Sequence, residues 1–352
     1  DVKVCAALDA IGVYYIAEPA KGEDCPPIKL KNNCFTRNFE TLTGMYGMPV
    51  YDEFDPTPIL APFFTLFCAL CLGDCAYGFI LIWLGHVLKK VDILGLKAHH
   101  RLVTTLGVGT VIIGFFLGAF MGFHLDEMEW IPEGLRRCML VGKLPGTTFD
   151  MAMVAAIIIG VFHLCLAMVV KAIGLVKRFG FSASISAWGW IILIVGGIAT
   201  ASLALADVID SSVTRIAVIV IGIFSGLSIF VLNNPKRNPL INIASGLWDA
   251  YGMVTGLMGD TLSYIRLYAL GLAGGMLGNT FNNLGMMVLG DSPSWHWAAF
   301  AIIFLIGHAI NFAMGCLGAF VHPLRLTFVE YFKNSGYEGK GSVYNPMGVN
   351  DK

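Results

Sequence analysis

Seven stretches of this chain are apolar almost without interruption: 58–88, 102–124, 151–174, 185–206, 214–232, 246–289 and 296–328. Amphipathic helices and strands of water-soluble folds show apolar residues as stripes, at period 3.6 or 2. Runs of about 20 apolar residues with few charges instead match the span of a bilayer core. The composition agrees, with 56% hydrophobic and only 13% charged residues and a mean hydropathy of +0.72. The fold class expected is an all-α membrane protein. The 246–289 stretch is too long to stand upright, so it must tilt strongly, break or extend past the bilayer.

Residues 1–55 differ in kind. They mix Lys3, Lys21, Lys29, Lys31 and Arg37 with Asp1, Asp9, Glu18, Glu23, Asp24, Glu40, Asp52, Glu53 and Asp55, which reads as a water-exposed segment ended by "DPTP" at 55–58. The sequence opens on Asp1 with no basic-then-apolar leader, as a trimmed chain would. Alternate loops are basic: Lys89, Lys90, Lys97 and Arg101 against Asp92; Lys171, Lys177 and Arg178; Lys236 and Arg237. The others are acidic or mixed, with Asp126, Glu127, Glu129 and Glu133 beside Arg136, Arg137 and Lys143, then Asp207 and Asp210, then Asp291. The positive-inside rule places the basic set, and with it the tail 333–352, in the cytoplasm. Domain boundaries follow: 1–55 cytoplasmic, 56–332 transmembrane, 333–352 a cytoplasmic tail. The stretch 58–88 leaves two topologies open. A single tilted helix puts the N-terminal segment outside. A turn at "CLGDCAYG" (71–78) puts it inside, and Gly73, Asp74 and Gly78 favour that turn.

Little in the sequence suggests chemistry on bound small molecules. "GYEGKGS" (336–342) lacks phosphate-loop spacing, and there is no HExxH, no nucleophile elbow and no second CxxC to pair with Cys68-Ala-Leu-Cys71. Hydrolysis of a nucleotide on this chain is therefore not expected, nor is a cofactor or a metal. Cys68, Cys71 and Cys75 lie in an apolar run and read as packing residues. A net charge of −1 offers no footprint for nucleic acid, and no internal repeat supports an inverted-repeat transporter.

Against this background Arg266, inside "GDTLSYIRLYALGLAGG" (259–275), stands out. An arginine at mid-bilayer costs about 2.5–3.5 kcal/mol on insertion scales, so it should face protein or water. At 100° per residue its helix face carries Gly252, Thr255, Gly259, Leu262 and Ser263 upstream, and Ala269, Leu270, Ala273, Leu277, Thr280 and Leu284 downstream. These are small, hydroxylic or aliphatic, a surface that lets another helix come close. No carboxylate shares the face. Either Arg266 pairs with Asp74 or Asp260 as a structural salt bridge, or its partner is a carboxylate on a different, moving subunit. Arg325, in "FVHPLRLTFVE" (320–330), has two readings as well: a functional charge on the face of Asn311, or a terminal side chain snorkelling to the headgroups. His163 and His308 read as proton-path groups or as interhelical hydrogen-bonders.

These residues carry a family resemblance. "GDTLSYIRLYALGLA" (259–273) resembles the arginine-bearing helix of the a-subunit of V-type and A-type rotary ATPases, called subunit I in bacteria. "PPIKLKNN…YGMPVYDEFDPTP" (26–58) with "LGDCAYG" (72–78) resembles the entry to that family's membrane domain, and "HPLRLTFVEYFKNSGYEGKGSVYNP" (322–346) its closing segment. The resemblance implies eight transmembrane helices, two of them long and strongly tilted near the C-terminus, with both ends cytoplasmic. It implies a stator subunit that forms proton or sodium half-channels against a rotating proteolipid ring. Its peripheral stalks would be held through a large N-terminal domain of which 1–55 is a remnant, and the central stalk belongs to the same complex. Arg266 would then face the ring, drive ion release from its carboxylates and block leakage between the half-channels, with Arg325 matching the family's second arginine. Gly259, Leu262, Ala269, Leu270, Ala273 and Leu277 would face the ring.

The sequence departs from the eukaryotic pattern at Gly274, Gly315 and Gly252, where relatives carry a histidine and two glutamates. The half-channel groups must then be others: Ser263, Asp260, Asn311, His308 and Asp74 are the candidates. The style of "YGMPVYDEFDPTP" points to a bacterial cell membrane. Readings from other classes are a secondary transporter or channel with Arg266 in a substrate site, and a purely structural stalk anchor.

Overall fold

A computed structural model describes residues 2–16, 18, 26–51, 53–91, 96–125, 128, 131–136, 138–144, 149–205, 210–230, 239–289 and 296–345. Several charges used above for orientation lie outside the described residues: Asp1, Lys21, Glu23, Asp24, Asp52, Asp92, Asp126, Glu127, Glu129, Arg137, Asp207, Lys236, Arg237 and Asp291.

The described chain is mostly helical. After α1 (Val2–Ile11) and α2 (Glu40–Tyr46) come α3 (Thr57–Leu72), α4 (Cys75–Lys90) and α5 (His100–Phe116). A two-stranded hairpin follows, β1 (Ala119–Phe120) and β2 (Phe123–His124), then a short α6 (Glu133–Arg136). The remainder is α7 (Met151–Phe179), α8 (Phe181–Leu205), α9 (Ser211–Phe230), α10 (Pro239–Leu289), α11 (His296–Arg325), a π-helical turn at Leu326–Tyr331 and α12 (Phe332–Ser335). Among the described residues four helices are long and apolar enough to cross a membrane: Met151–Phe179, Ser184–Ala204, Ser211–Phe230 and His296–Ser335.

The 58–88 run does break. Gly73 takes a left-handed conformation (φ 63°) as the C-cap of α3, and Asp74 then caps α4 by accepting from the backbone N–H of Ala76 and Tyr77. Only a residue that tolerates αL ends a helix this way, and a carboxylate can satisfy the next helix's orphan donors. α4 then packs back along α5 at close range. A side chain on Gly78 would meet the backbone of Val111 at 2.6 Å, and one on Gly107 that of Ile82 at 2.8 Å. This is the small-residue helix contact of membrane interiors.

Two boundaries differ from the sequence expectation. The run 102–124 is not one span: α5 ends at Phe116, and positive φ at Gly118, Met121 and Gly122 turns the chain into the hairpin. The 246–289 run does not break. It begins earlier, at Pro239, and continues as one 51-residue helix, about 76 Å long at 1.5 Å per residue.

The main core gathers around α3, whose Phe64 and Phe67 meet Phe39, Tyr264, Leu267, Tyr331 and Phe332 from distant parts of the chain. His163 is buried within it, stacked on Tyr331 with ring centroids 4.8 Å apart and with Nδ1 2.9 Å from the Tyr264 hydroxyl. Cys68, Cys71 and Cys75 are buried thiols at the α3–α4 junction. The segments before α3 and after α12 pair with each other. Ile28 N–H donates to Ser342 O (2.9 Å), Tyr344 N–H to Ile28 O (3.0 Å) and Gly341 N–H to Met48 O (2.8 Å).

Candidate functional site

α10 packs against α11, α7 and α3, with Arg266 near its middle. Arg266 is half-buried. On its face Gly259, Leu262, Ala269 and Ala273 are exposed, and Gly252 and Gly259 have open space where a side chain would stand. Leu270 packs partly into the core and Leu277 is half-buried. Among the described residues the ion pairs involve Arg178, Glu53, Glu338 and Lys340, and none involves Arg266 or Arg325. The two carboxylates proposed as structural mates are otherwise engaged. Asp260 accepts from Asn334 Nδ2 at 2.7 Å. Asp74, 3% exposed, spends Oδ1 on Ala76 N–H (2.8 Å) and Oδ2 on Gly122 N–H (3.1 Å).

Arg325 ends α11 and is exposed. Pro323, two residues earlier, cannot donate to the carbonyl one turn back, and the helix loosens into the π turn at 326–331. His322 lies within the electrostatic reach of both Arg266 and Arg325, so the two arginines address one region. The Nδ1 atom of His322 has no hydrogen-bond partner among the described residues.

Polar side chains gather on either side of Arg266 along α10. On the side toward Asp260, Ser263 faces the buried Glu330 of the π turn, and Asn334 bridges Asp260 to the Glu330 carbonyl (both 2.7 Å). The Oε2 atom of Glu330 has no partner among the described residues. On the other side, about 12 Å along the axis, Asn311 Nδ2 donates to the Gly274 carbonyl and to the Tyr77 hydroxyl, both at 2.9 Å. Tyr77 Oη lies 2.8 Å from His308 Nδ1. His308 Nε2 lies 3.0 Å from Asn282 Oδ1, and Asn282 Nδ2 donates to Met121 O at 2.7 Å. Asp74 sits beside this second group through the hairpin glycine Gly122.

The candidates chosen from sequence therefore fall into two sets: Asp260 with Ser263, and Asn311 with His308 and Asp74. Sequence reasoning missed Glu330, Asn334, Tyr77 and Asn282, which complete them. The signal was present for Glu330 and Asn282, since a polar side chain within or at the end of an apolar run marks a built interior. It was absent for Tyr77, because tyrosine is equally at home in a core. Further along α10, Tyr268 donates to Asp150 at the start of α7. That pair borders a cavity of about 380 Å³, also lined by His124, Gly271 and Gly275.

Residues 252–349, which hold Arg266, Arg325 and most of both clusters, match the model of the V-type ATPase 116kDa subunit family. Along 97% of its length the chain is 33% identical to the A-type ATP synthase subunit I of Methanocaldococcus jannaschii, covering 52% of that protein. It is 32% identical over 96% of its length to the A-type ATP synthase subunit I of Pyrococcus horikoshii, covering 50% of it. With the V-type ATP synthase subunit I of Borreliella burgdorferi it shares 28% identity over 85% of the chain and 50% of the relative. The chain thus spans about half the length of the curated relatives it matches. By these matches it is a homologue, over most of its length, of the subunit I proteins of A-type and V-type ATP synthases, and its last third carries the match to the V-type ATPase 116kDa subunit family.

Proposed function

We propose that the chain is the ion-translocating stator subunit of a rotary A/V-type ATPase, lying against a ring of proteolipid subunits that each carry a membrane carboxylate. The observation that carries this reading is the placement of Arg266. It is a guanidinium outside any ion pair among the described residues, on an open, small-residue face of α10, between two polar clusters. Arginine stays protonated throughout the relevant pH range. A ring carboxylate brought beside it is driven toward its charged form and releases its ion. The same charge repels an ion passing directly from one cluster to the other. In this reading the Asp260–Ser263–Glu330–Asn334 group and the Asp74–Tyr77–His308–Asn311–Asn282 group belong to separate aqueous half-channels, for protons or sodium ions. Arg325 holds the second positive charge near the path.

The topology that fits has eight spans, namely α3, α4, α5 and α7–α11, with α10 and α11 strongly tilted and both ends cytoplasmic in a cell membrane. Peripheral stalks would attach through a soluble domain joined to the 1–55 segment, and the central stalk turns in the same complex. The test is Arg266→Ala in the reconstituted complex. ATP-driven ion uptake is expected to fall to background while the subunits still co-purify. Uptake at the unmodified rate rejects the assignment.

A further inference from the structure

A second groove lies away from Arg266. It has a volume of about 630 Å³ and runs along α4 and α5, with α3 and the 3₁₀ turn before α2 contributing walls. One end is basic: Lys89 and Arg101, both exposed, with His86 and His100 beside them. The other end is apolar, where Val108 and Ile112 are 45% and 51% exposed. Among the described residues no acidic side chain lines it. Among the described residues neither Lys89 nor Arg101 forms an ion pair. The imidazole Nδ1 atoms lie against the carbonyls of Ile82 (3.1 Å) and Lys97 (2.8 Å), and Lys89 and Arg101 bring the fixed positive charge.

We infer that this groove binds an anionic phospholipid, its headgroup phosphate held by Lys89 and Arg101 and an acyl chain lying along α5 toward Ile112. The basic end supplies a planar guanidinium for two phosphate oxygens and a mobile ammonium for a third. From His100 to Ile112 the groove extends about 18 Å along the helix, and its charge falls to nothing over that length. A free phosphate would use only the basic end, whereas a lipid uses both. Basic pockets between membrane helices on the cytoplasmic side are the usual headgroup sites. The inference rests on the reading that the 89–101 loop is cytoplasmic, but not on the role of Arg266.

The test uses the full chain purified in detergent and titrated with phosphatidylglycerol or phosphatidylcholine, with bound lipid counted by native mass spectrometry. Phosphatidylglycerol is expected to be retained in preference to phosphatidylcholine. That preference should fall about tenfold in the Lys89→Gln/Arg101→Gln double variant and stay unchanged in Lys90→Gln, whose side chain lies in the same basic loop but outside the groove. Val108→Trp keeps every charge and blocks the apolar end, so it should lose the preference too, even if the double variant fails to fold. Equal retention by all variants overturns the site. Equal loss in Lys90→Gln reduces it to diffuse attraction. Displacement of phosphatidylglycerol by millimolar inorganic phosphate, with Val108→Trp unaffected, assigns the basic end to a free anion instead.

Discussion

A carboxylate buried between helices needs donors for its lone pairs, and Asp74 finds them in two places: the first turn of α4 and Gly122 of the hairpin. It therefore fixes both the α3–α4 break and the distance of the hairpin from that break. Asp74→Ala is expected to cost about 1–2 kcal/mol for the lost cap, and more because Gly122 N–H is left unmet. Asp74→Asn keeps an accepting oxygen for the cap and gives up only the Gly122 contact, so its melting temperature should fall between those of the parent and Asp74→Ala. Thermal denaturation in detergent checks the order, and an Asn variant melting at or below the Ala variant would remove capping as the role of Asp74. The position of Asp74 was readable from its sequence, because a lone carboxylate between glycines in an apolar run has few other uses. Its second partner was not, because nothing local links residue 74 to residue 122. The same holds for Arg266. The cost of its charge could be read from one helix, but that Asp260 and Asp74 are already engaged depends on Asn334 and Gly122.

Helical periodicity made the face of α10 readable, and Gly259, Leu262, Ala269 and Ala273 lie exposed along it as that periodicity requires. It failed after Arg325. The π turn at 326–331 inserts extra backbone per turn, so residues beyond it no longer fall where 100° steps would put them. This is why Glu330 and Asn334 join the Asp260 cluster without having been foreseen. Nor did the apolar run 102–124 disclose its hairpin, since Gly118 and Gly122 look the same in a packed helix as in a turn. If α10 presents its open face to a proteolipid ring, cysteines at Ala269 or Ala273 should crosslink to a ring helix on oxidation. A cysteine at Leu267, which is 1% exposed, should not. Crosslinks from Ala269 and Ala273 only to helices of this same chain would place the ring elsewhere.

At the scale of the whole molecule, the segment before α3 and the segment after α12 form one clasp. Beyond the backbone pairing of 28 with 342–344 and 48 with 341, the Tyr337 hydroxyl donates to Gly47 O at 2.7 Å and Glu338 N–H donates to Glu53 Oε1 at 2.8 Å. Arg178, at the end of α7, sits between Glu53 (3.5 Å) and Glu338 (3.9 Å). The clasp joins the chain leading into α3 to the chain leaving the Arg325 helix, so a pull on one is felt at the other. Its centre is the Tyr337 ring, packed 4.6 Å from Phe332 and 5.8 Å from Tyr46. Burial first, then the nearby Glu53 and Asp55 carboxylates, raises this phenol above its ordinary value of 10.0. A group whose folded pKa is raised contributes stability that is complete below the unfolded value and is lost as pH rises through the folded one. The clasp should therefore hold unchanged from neutral pH to about pH 10 and loosen only above it. Tyr337→Phe gives up the hydrogen bond to Gly47, about 0.5–1.5 kcal/mol, but has no proton to lose. Its tail should be somewhat less protected at neutral pH and should lack the alkaline step attributable to the phenol. Limited proteolysis of residues 337–345 across that range separates the two chains, and an identical alkaline step in both would move the titrating group away from Tyr337.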